Sequence, residues 1–149
     1  MKEKHIATLT WGQHHSLEGL YGSEVSILQS GDTRLVNSYM PSGTVIQRWY
    51  SSTDFQATRA TPTLPLLYPG VTYRLAVLMS SVPDSTCIFE VQFFGRISQR
   101  IGRKFLHSPA ECFVYPQSCY FYTIQMINAG CDELTFKSMD ILEVDSRGD

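Results

Sequence analysis

The chain has 149 residues, with 12 lysines and arginines against 14 aspartates and glutamates, a formal net charge of −2 with histidine neutral. At this length about 70% of the unfolded chain's surface is buried on folding, so a single domain with one core needs no metal or disulfide staple. Only 17% of residues are charged while eight Phe, eight Tyr and two Trp are present, which argues against a disordered tract and against a long charged coiled coil.

Residues 1–8 carry Lys2 and Lys4 but no apolar run of the kind a secretion signal requires, so a cytoplasmic location is expected. The longest apolar stretch, residues 75–79, is far short of the roughly 20 residues of a bilayer-spanning helix, so no membrane insertion is expected. Strand candidates follow at residues 24–29, 34–37 and 44–50, separated by Ser30-Gly31-Asp32 and Pro41-Ser42-Gly43. Residues 51–67 are rich in Ser, Thr, Ala and Pro, and Pro62 and Pro65 forbid a central strand; a long loop is expected, either functional or crossing the end of a sandwich.

The next elements show a period of two. In residues 71–79 the odd positions are bulky and apolar while Arg74 lies on the other face. Cys87, Phe89, Val91 and Phe93 repeat the pattern around Glu90 and Gln92. Residues 95–106 read in two ways: Ile97, Ile101 and Phe105 recur at helical spacing among Arg96, Arg100, Arg103 and Lys104, yet a hairpin turning around Gly102 suits the all-β setting better. Tyr120, Tyr122, Ile124 and Met126 alternate with Thr123 and Gln125. Residues 134–144 form the last strand, with a phase switch between Phe136 and Met139 that a bulge would absorb. Short alternating strands with frequent turns predict an all-β sandwich or barrel, a single domain over 1–149 with its core at about 6–144 and a tail at 145–149.

Chemistry-bearing patterns are sparse. Cys87, Cys112, Cys119 and Cys131 form no Cys-x-x-Cys pair and read as core or inert thiols, so neither zinc nor a disulfide scaffold is expected. No phosphate-cradling glycine pattern and no Gly-x-Ser-x-Gly occurs. His14, His15 and His107 are available as general bases for a small hydrolase, but nothing marks a nucleophile beside them, and no catalytic residue is assigned. The acidic balance excludes a nucleic-acid partner. The Arg96, Arg100, Arg103 and Lys104 cluster is a candidate docking patch for an acidic protein face or anionic lipid, or else a charged exposed hairpin. Residues 147–149 spell Arg-Gly-Asp, meaningless without export. Trp49 and Tyr50 are consecutive in a strand candidate, so their rings face opposite ways and one should lie on an outer face or sheet edge. With Trp11, Tyr21 and Phe55 they are candidate partner or glycan contacts, because a large rigid ring buries much area at low entropic cost.

Trp11-Gly12-Gln13, Tyr21-Gly22-Ser23, Met40-Pro41-Ser42-Gly43-Thr44-Val45-Ile46 leading to Trp49-Tyr50-Ser51, Leu64-Pro65-Leu66-Leu67, and Ile127-Asn128-Ala129-Gly130-Cys131 with Leu134 and Phe136 occur in this order. Together they resemble the smallest of the three accessory secretory proteins of the accessory Sec system of Gram-positive bacteria, over residues 11–143. The resemblance implies a non-catalytic antiparallel two-sheet β-sandwich, a jelly roll shaped like a carbohydrate-binding module, without cofactor. It implies two larger partners, one glycosyltransferase-like and one acetyltransferase-like, a dedicated Sec ATPase, and export of glycosylated serine-rich repeat adhesins, with peripheral placement at the inner membrane face through the complex. The family's motif aromatics fall on Trp11, Tyr21, Trp49 and Tyr50. The alternative is a carbohydrate-binding module that reads glycans on the exported adhesin. Sandwiches of that type often hold calcium near the chain ends; Asp140 matches one such ligand, but only Glu18 and Glu24 stand near the N-terminus, so no metal is expected.

Overall fold

The computed structural model describes residues 2–11, 24–36, 42–51, 64–83, 86–108 and 110–145. The described chain is built from ten strands: β1 (Lys2–Leu9), β2 (Glu24–Ile27), β3 (Thr33–Val36), β4 (Val45–Tyr50), β5 (Thr72–Val82), β6 (Cys87–Phe94), β7 (Arg100–Leu106), β8 (Cys112–Val114), β9 (Phe121–Asn128) and β10 (Glu133–Asp145). All pairings are antiparallel. One sheet has the order β2-β3-β10-β5-β8 with β1 also on β10, and the other has the order β4-β9-β6-β7.

The 13-residue β10 is the spine of the first sheet. One of its edges carries β5 from Glu133 to Val144. The other carries β3 from Glu133 to Phe136 and then β1 from Met139 to Asp145.

The alternation read from the sequence is what joins the sheets. Tyr73 and Leu75 of β5 and Leu134, Phe136, Met139 and Ile141 of β10 are buried in one core with Phe89, Val91 and Phe93 of β6 and Tyr122, Ile124 and Met126 of β9. Rings meet across the layer: Phe136 lies 5.7 Å from both Trp11 and Trp49, and Phe93 lies 6.0 Å from both Phe113 and Tyr115. The bulge expected in β10 is present. Phe136 pairs with Met79 and Ser138 with Leu78, so Lys137 is the extra residue, and Phe136 and Met139 both point inward. In the turn before β5, Gly70 takes φ +82°, donates its N–H to the Tyr115 carbonyl at 2.8 Å, and leaves a Cβ only 3.1 Å from Gln117 Nε2.

Two expectations need revision. Residues 95–106 form the hairpin rather than the helix, but it turns at residues 95–99, where the Gly95 N–H donates to the Gln99 carbonyl at 2.8 Å, and not around Gly102. Gly102 is inside β7 opposite Phe93, beside a bulge between Phe93 and Phe94, where a Cβ would meet the ring at an ordinary 3.8 Å. Strands β1 and β8 were not expected. Within the expected loop at 51–67, residues 64–67 form no strand and bury Leu64 and Leu67, while 52–63 lie outside the described residues.

Candidate functional site

Trp11 and Trp49 are core residues, 4% and 3% exposed, which corrects their expected role as outward contacts. Position sets this. Strand β4 is an edge strand whose inward face carries Trp49, and the chain leaving β1 passes beside it. The Trp49 indole N–H donates to the Thr10 carbonyl at 2.8 Å, and Gln47 Nε2 donates to the Trp11 carbonyl at 2.9 Å. These bonds tie β1 of one sheet to β4 of the other and close that side of the sandwich. Tyr50 follows Trp49 with the opposite orientation and is half-buried, as alternation requires. Tyr21 and Phe55 lie outside the described residues.

Arg96, Arg100, Arg103 and Lys104 are all exposed, on the hairpin turn and on β7, the edge strand of the four-stranded sheet. The Arg103 guanidinium lies over the Phe105 ring at 5.2 Å, and its Nη1 is 3.7 Å from Glu90 Oε2.

The outer face of this sheet holds an arrangement that the alternation suggested only as a row of polar residues. By register, Arg48, Gln125, Glu90 and Phe105 form one row across the four strands, and Tyr50, Thr123, Gln92 and Arg103 form the next. Arg48 Nε donates to Gln125 Oε1 at 2.7 Å, and Gln125 Nε2 donates to Glu90 Oε1 at 2.5 Å. Glu90, Gln125 and Thr123 are 2%, 4% and 5% exposed although they face outward. Glu90 Oε2 and Thr123 Oγ1 are buried without a hydrogen-bond partner, a costly state unless something else supplies one. Sequence reading misses this cluster because burial of an outward polar residue depends on which side chains flank it across strands.

A cleft of about 460 Å³ opens on the side of the sandwich opposite the β1–β4 ties. Leu75, Val77 and Met79 of β5 form one wall, Cys87 and Phe89 of β6 the floor, and Leu106 of β7 the other wall. The Cys87 thiol donates a hydrogen bond to Cys131; this holds the Cys131 thiol below its ordinary range, at about 6, and pushes that of Cys87 up. No disulfide is formed.

Asp140 Oδ1 accepts from Thr8 Oγ1 at 2.7 Å and lies 3.6 Å from His5 Nε2. Among the described residues no group of three His, Cys, Asp or Glu is placed to hold a metal ion, and no helix is long and apolar enough to cross a membrane. His14 and His15 lie outside the described residues; His107 is exposed, with its backbone N–H donating to the Glu111 carboxylate at 2.9 Å.

With this geometry in hand, comparison with known proteins is specific. Residues 18–143 match the family described as Accessory Sec secretory system ASP-3. The chain is 31% identical over 125 residues to the accessory Sec system protein ASP-3 of Streptococcus gordonii, covering 84% of this chain and 79% of that protein. It is 29% identical over 136 residues to the protein of the same name from Staphylococcus aureus, of which it spans 42%. A chain in the crystal structure of accessory secretory protein 1, 2 and 3 from Streptococcus pneumoniae superposes with a TM-score of 0.84 at 30% identity, over 93% of this chain and 96% of that one. A chain of the Glycosylation Associate Protein (Gap123) complex from Streptococcus agalactiae gives 0.81 at 26% identity, over all of this chain and 50% of that one. The chain therefore belongs to the ASP-3 family of the accessory Sec secretory system.

Proposed function

We propose that the chain is a non-catalytic, cytoplasmic interaction subunit that assembles with two larger accessory secretory proteins, one glycosyltransferase-like and one acetyltransferase-like. With the dedicated Sec ATPase the assembly promotes export of glycosylated serine-rich repeat adhesins. The carrying observation is the likeness over 93% of the chain to a chain in the crystal structure of accessory secretory protein 1, 2 and 3. Co-expression with the two larger proteins, followed by size-exclusion chromatography, is the test: the three chains elute together, and elution of this chain alone refutes the reading. Tyr50 and the Arg103 side of the hairpin are the contact candidates left on the surface. Tyr50→Ala and Arg103→Glu are expected to reduce partner recovery, and undiminished recovery with both variants folded removes the assignment.

A second reading, a module that reads glycans on the adhesin, is favoured by the outward cluster around Glu90. Arg48 and Arg103 around Glu90 disfavour a bare anion and a bare cation alike, whereas sugar hydroxyls both donate and accept and so suit the mixed donors and acceptors of this row. Titration with an N-acetylglucosamine-bearing serine peptide to millimolar concentration should shift amide resonances of β6 and β9. A flat titration, or one unchanged by Glu90→Gln, excludes it.

A further inference from the structure

The cleft is bordered by a strand edge that has no partner among the described residues. On the side of β5 away from β10, the three-residue β8 pairs only with Thr72, Tyr73 and Arg74. Among the described residues that edge has no ladder from Leu75 onward, beside the mouth of the cleft. Natural sheets guard such an edge with charge, proline or a bulge. Residues 75–82 contain none of the charges and no proline, and the register shift against β10 displaces Lys137 of β10 rather than a residue of β5.

The side chains along this edge are equally unguarded. Val77 and Met79 face the cleft and are only partly buried although they pack against the core, and Leu78 and Val82 are 55% and 58% exposed on the other face. Across the cleft Lys104 shares the inward face of β7 with Leu106, whereas Arg103 faces outward beside Glu90.

We propose that this edge takes up an extended segment of one of the larger partner proteins as an added strand, lying where a longer β8 would run. Its inward residues are apolar over Val77, Met79 and Leu106 and acidic at the position that meets Lys104. Backbone hydrogen bonds to β5 supply affinity, while these inward positions supply selectivity. Residues 75–82 offer length for six to eight partner residues, about 20–27 Å of extended chain. The inference rests on the subunit reading above, and it names the surface and the chemistry of the segment that uses it.

Hydrogen–deuterium exchange of the free chain and of the co-expressed three-protein complex tests it. In the complex, amides of residues 75–82 exchange at least about tenfold more slowly than in the free chain. Lys104→Glu, an exposed change that leaves the fold intact, weakens assembly about tenfold, and Met79→Lys, checked for folding by its thermal melt, does so more strongly. A complex that forms while these amides exchange as freely as before, or that is indifferent to Lys104→Glu, overturns the added strand and leaves the subunit role standing. Failure of the three chains to co-purify overturns both. Protection that rises with the concentration of the isolated chain means that a second copy is the occupant and also overturns the proposal.

Discussion

Phe136 and the two tryptophans that flank it show how much one buried position decides. Its ring is 1% exposed and in contact with Trp11 and Trp49, so Phe136→Ala opens a cavity at the seam between sheets and is expected to cost about 3–5 kcal/mol in urea denaturation. Trp49→Phe removes the indole N–H that holds the Thr10 carbonyl and leaves a smaller cavity at the same seam, so a loss of about 2 kcal/mol is expected. The Trp49-Tyr50 pair was half legible in the sequence: alternation requires opposite faces, but which ring lies inside is set by the strand's neighbours, not by the dipeptide. The thiol pair was not legible at all, since Cys87 and Cys131 are brought together only by β6 pairing with β9. A thiol held below its ordinary range contributes stability that is complete above that range and is lost as pH falls through about 6. Thiolate absorbance should accordingly show Cys131 ionising near pH 6, and Cys87→Ala should move that step up toward the ordinary value of about 8.5.

Among the elements, β5, β6 and β9 were plain in the sequence because each has one face in the core and one outside, the condition that produces strict alternation. Strand β1 was hidden for the opposite reasons. It is an edge strand, its first four residues are Lys, Glu, Lys and His, and a register shift between His5 and Ala7 breaks what alternation remains. Strand β8 has only three residues, too few to carry a period. The hairpin turns on the other glycine: Gly95 opens the turn at residues 95–99, where a Cβ would fall 2.6 Å from the Gln99 side chain and Ser98 takes φ 67°, while Gly102 lies inside β7. The bulge in β10 was legible because both Phe136 and Met139 are too large and apolar to leave outside. Deleting Lys137 places Phe136 and Met139 two residues apart, so a regular ladder keeps the pairs with Met79, Leu78 and Val77 and leaves both side chains inward. A loss of no more than about 1 kcal/mol in urea denaturation is expected, and a much larger loss would show that the bulge itself is required.

At the scale of the whole molecule the two long sides of the sandwich differ. The β1–β4 side is closed by side-chain hydrogen bonds to backbone carbonyls, whereas the β5–β7 side gapes because β8 stops early. Amide exchange by NMR on the isolated chain should reflect this. Central β9 and β10 should be slowest, and β7 with the far edge of β5 fastest, since stability to local opening follows burial and ladder pairing on both edges. Uniform protection around the sandwich would contradict that asymmetry. None of it could be read from the sequence, because it depends on how far one short strand extends rather than on any residue's character.

The β4-β9-β6-β7 sheet is complete in itself by residue 128, whereas β1, β3 and β5 share β10 as their common neighbour. A folding chain whose β10 has not yet docked therefore carries Val91, Ile124 and Met126 on a sheet with its cover incomplete, the state in which a chaperone has most to shield.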